Sequence, residues 1–447
     1  MPMKYFWLVL GLFVLRSVAV QPLQAQTATY SGPVPRITSG FGADGAFQVE
    51  TQTFPSPLFR GQVVTVYLPR GAEGRVPVIF FAHGFGAISP ANYAELLRHI
   101  ATRGYAVVYS PYQALEAGAG FDERYNTLWA GFQAAVQTFA SRMDTSRVGF
   151  MGHSYGAGAI PAMAWRAFVE RSWGQNGRLL FPMAPWYSDQ ITNEQLRRFP
   201  SDVKLLMQVY NDDAVNDHQM AVELFYRMPV PNTEKDYVNI LADTVQTAAG
   251  QYIYEAGHSV CATANSTVGG VTRGFDAYDI YGVFRLFDAL AEYTFTGSAA
   301  AKNVALGNGS PEQVFMGVVN GRPIRPLVVS DTPVANPTQR ALWTCGNAVN
   351  PRRASCAVVT SVRSEERSAN ALVLVPNPAH SLLRIEHLQE RAELVMTDML
   401  GREVLRSSIE PSASIDVAHI ANGVYYLRVY GAGGRELGRT QVLHILR

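Results

Sequence analysis

Residues 147–158 read RVGFMGHSYGAG, and this stretch decides the fold. The apolar residues before Gly152 suit a strand buried in a sheet, and residues 157–165 suit the first turns of a helix. Between them, GHSYG fits the pattern G-x-S-x-G, in which a tight strand-to-helix turn lifts a serine above the sheet edge. Gly152 and Gly156 suit this turn because a Cβ at either position would collide with neighbouring backbone. The stretch therefore predicts Ser154 as a nucleophile.

Length and composition indicate a globular protein of two or three domains. The chain has 447 residues, of which 48% are hydrophobic and 16% are charged. These proportions exclude a disordered chain and a membrane bundle. The formal net charge of +1 gives no reason to expect a nucleic-acid partner.

The N-terminus has the pattern of a signal peptide. Lys4 precedes an apolar run over residues 5–15, and Ala25 is a small residue at a suitable cleavage point. The run is too short for a transmembrane helix, which needs about 20 apolar residues. We therefore expect residues 1–25 to be removed on export, and no transmembrane segment in the mature chain.

Three cysteines remain for an oxidising compartment. Cys345 and Cys356 are close enough in sequence to clip a surface loop, and Cys261 would be left over. Their spacing does not suit a zinc site. No cofactor or metal is expected.

Strands alternate with helical patterns between residues 46 and 293. Outside the serine motif, strands are predicted at 46–69 (a hairpin), 76–82, 105–109, 179–184, 203–210 and 251–254, and helices at 91–103, 126–142, 219–226 and 275–293. This alternation predicts an α/β fold with a doubly wound, mostly parallel sheet and helices on both faces.

The remaining sequence divides into three parts. Residues from about 299 to 351 are rich in Pro, Gly and Asn, and we interpret them as an irregular extension of a catalytic domain spanning residues 26–355. The polar residues within 356–370 form a linker. Short strands with turn signals predict a small β-sandwich over residues 371–447.

A serine nucleophile needs a base, and the base needs an acid that orients it. In sheets of this type the order along the chain is serine, acid, histidine, each just past the carboxyl end of a strand. His258 fits the base, because it lies four residues beyond the predicted strand at 251–254. A loop histidine in solvent is the alternative interpretation.

The acid is expected in the loop NDDAVND at residues 211–217. Asp213 is the first choice, and Asp212 is its near competitor because a one-residue shift of the strand end exchanges them. Asp189 is a third candidate, whereas Asp217 suits the cap of the following helix. A solvated turn rich in Asp and Asn also fits this composition.

Two backbone N–H groups are candidates for an oxyanion hole. One is that of Tyr155, the residue after the nucleophile, and the other is that of Phe85 in the sequence HGFG at residues 83–86. The glycines allow this loop to approach a reacting carbonyl, and His83 would brace it. An ordinary glycine turn is the alternative.

These motifs together resemble the α/β-hydrolase fold over residues 26–293, and within it the dienelactone-hydrolase and cutinase-like polyesterase branch. Trp186 in APW and Phe85 stand where that branch has substrate-binding aromatics, and HSVC at residues 258–261 is similar to its ending. The resemblance implies an esterase, with bulky or polymeric esters among its substrates. Both aromatics also fit core positions. The chain departs from the family pattern at Ala157 and in its longer acid–histidine interval.

The C-terminal segment resembles the sorting domain of type IX secretion cargo. The matching pieces occur in order as VPNP at 375–378, LLRI at 382–385, TDMLGREV at 397–404 and NGVYYLRV at 422–429. The resemblance implies a secretion machinery as partner, and a module that is removed or used for surface attachment. An adhesive or carbohydrate-binding sandwich is the rival interpretation.

The sequence therefore predicts a secreted serine hydrolase that cleaves carboxylic esters through an acyl-enzyme intermediate. A peptidase or amidase stays open, because the same triad serves either scissile bond. A hydrolase-like surface binding protein without activity is the third interpretation, although no broken motif is visible.

Overall fold

The computed structural model describes residues 30, 32–114, 120–263, 266–268, 271–336, 339–360, 373–375, 379–386, 388–398, 402–411, 413–431, 437 and 441–445. The chain divides into an N-terminal unit, Met1–Val359, and a C-terminal unit, Thr360–Arg447. The predicted signal peptide lies outside the described residues. Within the described ranges, no helix has both the length and the apolar character that a membrane crossing requires.

A nine-stranded sheet forms the centre of the N-terminal unit. The strands of this unit are β1 (Gln48–Pro55), β2 (Val63–Arg70), β3 (Val76–Ala82), β4 (Ala106–Tyr109), β5 (Met143–His153), β6 (Arg178–Met183), β7 (Lys204–Tyr210), β8 (Lys235–Ile240), β9 (Asp243–Thr247), β10 (Gly250–Tyr254), β11 (Ser266–Val268), β12 (Val271–Arg273), β13 (Val318–Val319), β14 (Arg322–Pro323) and β15 (Val328–Ser330). The sheet order is β1-β2-β4-β3-β5-β6-β7-β8-β15. Strands from β4 to β8 in this order are parallel, whereas β1, β2 and β15 pair antiparallel at the two edges.

Helices cover both faces of this sheet. They are α1 (Ala94–Thr102), α2 (Phe121–Thr138), α3 (Tyr155–Trp165), α4 (Asn193–Arg197), α5 (His218–Arg227), α6 (Arg285–Thr296), α7 (Ala299–Ala305), α8 (Pro311–Val314) and α9 (Arg353–Thr360), with 3-10 turns at Pro90–Tyr93 and Asn232–Glu234 and π-helical segments at Arg166–Glu170 and Tyr278–Phe284. Strand β3 is buried along its whole length, and its alternate side chains enter different cores. Ile79 and Phe81 join the core beneath α1 and α6. Val78 and Phe80 join the core beneath α2, α3 and α5. The predicted α/β fold with a mostly parallel sheet is confirmed.

The last parallel strand differs from the sequence expectation. It is β8, which the apolar patterns did not predict, whereas the predicted strand at 251–254 pairs with β9 in a separate hairpin. Strand β8 begins with two buried charged residues, Lys235 and Asp236. The Lys235 ammonium donates to the Phe225 carbonyl at 2.9 Å, and Asp236 accepts from the Gln313 amide at 2.7 Å. Because these two polar side chains are buried at its start, the strand lacks the apolar run by which buried strands are recognised.

The residues after 299 are more regular than their composition suggested. They form α7, α8 and α9, and β15 extends the edge of the main sheet beside β8. Cys345 and Cys356 are joined by a disulfide, and Cys261 is buried outside any disulfide. The predicted linker begins inside α9, and residues 361–370 lie outside the described part of the chain.

The C-terminal unit consists of two small antiparallel sheets. Its strands are β16 (Val373–Val375), β17 (Leu382–Glu386), β18 (Ala392–Thr397), β19 (Glu403–Ile409), β20 (Ser414–Asp416), β21 (Gly423–Tyr430) and β22 (Gln441–Ile445). The sheets are β16-β17-β20 and β19-β18-β21-β22, and apolar side chains from both form one core. Tyr425 is buried in this core, and its hydroxyl donates to the Ala421 carbonyl at 2.7 Å. The predicted small all-β domain is confirmed.

Candidate active site

Ser154 lies on a sharp turn between β5 and α3. Its backbone has φ 54° and ψ −121°, a conformation that costs a non-glycine residue about 1–3 kcal/mol. The surrounding glycines make the turn possible. A Cβ on Gly156 would lie 2.1 Å from the Ala82 oxygen, and one on Gly152 would lie 2.8 Å from the same atom. The turn is thus held against the end of β3, with the serine hydroxyl above the carboxyl ends of the strands.

The three sequence-predicted polar residues come together at this edge. The His258 Nε2 atom lies 2.8 Å from the Ser154 hydroxyl oxygen, and His258 Nδ1 lies 2.8 Å from Asp213 Oδ2. Because a carboxylate only accepts, Nδ1 carries the proton and Nε2 is left to accept from the serine. This is the tautomer in which a histidine can act as a base towards the hydroxyl.

Of the two candidate acids, Asp213 faces the histidine and Asp212 does not. Asp213 is only 2% exposed, and its Oδ1 accepts from the amides of Val215 and Asn216 at 2.8 and 3.0 Å. Burial by itself would raise the pKa of Asp213, but the hydrogen bonds from His258 and from these amides outweigh it and lower the pKa. The side chain of Asp212 is exposed, and it accepts from Asn211. Asp213 therefore keeps its negative charge beside the imidazole.

The loop at residues 83–86 lies directly beside Ser154. A Cβ on Gly84 would be 3.0 Å from His153 Nδ1 and 3.5 Å from the Ser154 Cβ, so this close approach suits glycine. Phe85 is inside a turn closed by the Ala87 amide and the Gly84 carbonyl at 3.0 Å. Across the serine, the Tyr155 amide is the first of α3, where no preceding turn supplies an acceptor. Gly84, next to Phe85, and Tyr155 thus both adjoin the serine.

A chain of hydrogen bonds connects this loop with His258. The Gly84 amide donates to the Tyr93 hydroxyl at 3.1 Å, which lies 2.9 Å from His153 Nδ1. His153 Nε2 lies 2.7 Å from the carbonyl oxygen of His258. Because that carbonyl can only accept, Nε2 carries the proton, and Nδ1 accepts from the tyrosine. His153 is therefore a neutral imidazole, and its Nε2–H group holds the backbone carbonyl of His258 in place.

Aromatic rings continue from the loop at residues 83–86 across the site. Phe85 is 49% exposed, and its ring centroid lies 6.0 Å from that of Tyr155. The Tyr155 ring stacks on half-buried Trp186 at 5.2 Å, and Trp343 meets Trp186 edge-on at 5.6 Å. The Trp186 amide donates to the Ser154 carbonyl at 2.9 Å, which fixes this row of rings relative to the nucleophile.

Residues 39–171 match the family model described as Chlorophyllase, and residues 373–439 match the one described as Secretion system C-terminal sorting domain. The N-terminal unit is an α/β-hydrolase domain similar to the chlorophyllase family. This match indicates a serine ester hydrolase, and the sorting domain indicates export and surface attachment in bacteria by a secretion machinery. Comparison with curated proteins finds no match.

Four residues of the hydrolase-domain site were not predicted from the sequence to be site residues: Tyr93, Asn216, Gln339 and Trp343. Asn216 is 2% exposed, and its amide nitrogen lies 2.8 Å from the Ala184 carbonyl and 3.4 Å from the Ser154 hydroxyl. Asn216 lies three residues after Asp213, and a family motif with this spacing could have identified it. Gln339 and Trp343 come from the extension, more than 100 residues beyond Asp213, and no local motif identifies them.

Acid is expected to destabilise the hydrolase domain through its buried neutral histidines. Burial lowers the pKa of His83 to about 4 from 6.5, and burial together with His258 lowers the pKa of His153 to about 3. Burial lowers the pKa of His218 as well. Below pH 6.5 the unfolded state binds more protons than the folded state, so stability present above that pH is lost as the pH falls.

Each of His83 and His153 should reduce the free energy of unfolding by about 1.4 kcal/mol for every pH unit between about 6.5 and 5. Denaturant unfolding of the hydrolase domain at several pH values measures this slope. His153→Gln removes one titrating group, so the unfolding free energy of the variant should depend less steeply on pH, by the contribution of about one proton. Asp236 and His99, whose pKa values are raised in the folded state, change the stability in the opposite direction over this window. The test is therefore the difference between the variant and the wild type, and equal slopes would contradict the assignment of a neutral buried His153.

Proposed function

We propose that this protein is an exported serine hydrolase that cleaves carboxylic esters through an acyl-enzyme intermediate. The observation that supports it best is the continuous contact from the Ser154 hydroxyl through His258 to Asp213, with 2.8 Å at each step. The similarity to chlorophyllases over residues 39–171 supports an ester as the substrate. The rest of the site supplies the further groups that this chemistry needs.

In the first half-reaction, the Ser154 oxygen attacks the ester carbonyl carbon while its proton passes to His258 Nε2. The N–H groups of Tyr155 and Phe85 donate to the oxyanion, a contribution typically worth about 10²–10³ in turnover for one donor. The carbon–oxygen bond to the leaving alcohol then breaks, and His258 returns the proton to that alcohol. Asp213 stabilises the charged imidazole throughout.

In the second half-reaction, water replaces the alcohol. His258 takes a proton from the water, whose oxygen attacks the acyl carbon, and the bond to Ser154 breaks as the proton returns to the serine. The carboxylic acid leaves and the serine is restored. No atom or electron from a cofactor is needed for either half.

Bulky esters are the proposed substrates because of the aromatic row. Phe85, Tyr155, Trp186 and Trp343 lie in successive ring contacts of 6.0, 5.2 and 5.6 Å. Tyr155 is buried, so the surface open to a substrate comes from Phe85, which is 49% exposed, and from the partly exposed Trp186 and Trp343. A large acyl or alcohol group placed along the row would be held next to the nucleophile, with Phe85 and Trp186 as the substrate-binding side chains.

A fluorophosphonate probe tests the proposal directly. Such probes react with activated serines, so we expect labelling of the purified protein, with peptide mapping that locates the adduct on Ser154. Turnover of p-nitrophenyl butyrate should exceed that of the matched p-nitroanilide. An equal or faster amide reaction would favour a peptidase, and an unlabelled protein without turnover would favour a surface binding protein.

A further inference from the structure

We infer that Gln339, in the extension after the hydrolase core, is a positioning residue for the acid of the triad. The inference rests on the proposed function, because it concerns how Asp213 is held towards His258. Gln339 begins a segment, residues 339–345, that we call the strap. The strap lies outside the serine, acid and histidine motifs, and the inference gives it a role in positioning the acid.

The Gln339 side chain spans the turn that carries the acid. Its amide nitrogen donates to the carbonyl oxygens of Asp213 and Asn216, each at 2.9 Å. Its amide oxygen accepts from the backbone N–H of His218 at 2.9 Å. Both amide hydrogens and the oxygen of this one side chain are therefore used to hold the backbone at residues 213–218.

This turn determines where the carboxylate points. The amides of Val215 and Asn216 donate to Asp213 Oδ1, which leaves Oδ2 directed at His258. If the carbonyls of Asp213 and Asn216 lost their common donor, the turn between them could open and these two amides would move. The carboxylate would then hold the imidazole less firmly, although Gln339 itself contacts neither group.

The backbone of the strap reinforces the same turn. Leu342 donates to Ala214 at 2.9 Å, Trp343 donates to Val215 at 2.8 Å, and Asp217 donates back to Trp343 at 3.1 Å. These bonds form a short parallel bridge beside the acid.

Side chains and the disulfide hold the end of the strap. The Cys345 amide donates to the Asp217 carboxylate at 2.8 Å, and the Cys345–Cys356 disulfide closes the segment that follows. Within that segment, Arg352 donates to the Ile191 carbonyl at 3.0 Å and pairs with buried Glu223. Gln339 is thus presented by an anchored support, as a positioning group requires.

Two variants separate hydrogen bonding from packing at this position. Gln339→Met keeps the length of the side chain but removes its donors and acceptor, and Gln339→Ala removes the side chain. Gln175→Ala is the matched control, since Gln175 is exposed in the loop before β6, at the opposite end of the strands. For each variant, kcat and KM are measured with p-nitrophenyl acetate well below the melting temperature, and kcat is expressed per serine titrated by the fluorophosphonate.

We expect both Gln339 variants to lower kcat by about tenfold or more, because small errors in the orientation of catalytic groups are costly. KM for this small ester should stay within about twofold, and Gln175→Ala should behave as the wild type. Wild-type kcat in Gln339→Met would overturn the inference, even if its melting temperature fell, since packing alone would then explain the residue. A raised KM with unchanged kcat would overturn it too.

Ser154→Ala, assayed in parallel, distinguishes a failure of the role of Gln339 from a failure of the proposed function. If Ser154→Ala is inactive while both Gln339 variants keep full kcat, only the role of Gln339 is wrong. If Ser154→Ala hydrolyses the ester as fast as the wild type, the proposed function fails and the role of Gln339 fails with it.

Discussion

Ser154→Ala should reduce kcat/KM for p-nitrophenyl esters by at least about 10⁴-fold, because loss of the nucleophile disables the whole triad at once. The alanine keeps the Cβ that the turn already accommodates at φ 54°, so the fold should be unaffected. Ester turnover and fluorophosphonate labelling are the measurements, and both should disappear together.

The serine at position 201 provides a matched control for this change. Ser201 is exposed in the turn before β7, away from the carboxyl ends of the strands, and Ser201→Ala should keep wild-type turnover. Thermal melting of both variants checks that the hydrolase domain is folded. Substantial ester hydrolysis by folded Ser154→Ala would exclude the acyl-enzyme mechanism at this residue.

Asp213→Asn should lower kcat by about 10⁴-fold, whereas Asp212→Asn should change it less than about twofold. An amide at position 213 can donate to His258 Nδ1, which would favour the tautomer with the proton on Nε2. That nitrogen could then no longer accept from Ser154. The exposed Asp212 carboxylate has no such contact, so it provides a control of identical chemistry at the adjacent residue.

The comparison is made at a pH near neutrality, with turnover expressed per folded protein. A large loss in Asp212→Asn and a small one in Asp213→Asn would reverse the assignment of the acid. Equal small losses would mean that neither carboxylate orients the imidazole.

The site was predictable where its chemistry is local in sequence. The turn at Ser154 needs glycine at 152 and 156 because of steric contacts with β3, and this requirement leaves a pattern that can be read without coordinates. His258 was predictable from its order along the chain. Asp213 was the first choice from the sequence, but Asp212 stayed open beside it because the choice depends on the single residue at which β7 ends.

Long-range contacts left no such pattern. Gln339 and Trp343 act on residues more than 100 positions earlier, and a glutamine or tryptophan in an irregular segment has many ordinary explanations. Strand β8 was missed for a related reason. The side chains of Lys235 and Asp236 are buried and hydrogen-bond to Phe225 and Gln313, which are 10 and 77 positions away, and such pairing is invisible in a hydropathy pattern.

The disulfide between Cys345 and Cys356 makes the folded structure depend on the compartment that the chain has reached. Thiols stay reduced in the bacterial cytoplasm and are oxidised beyond the inner membrane. The disulfide that anchors the strap beside Asp213 is therefore formed only during export. A copy still inside the cell would lack this covalent closure, so the support of the loop at residues 213–218 would be looser until the chain is exported.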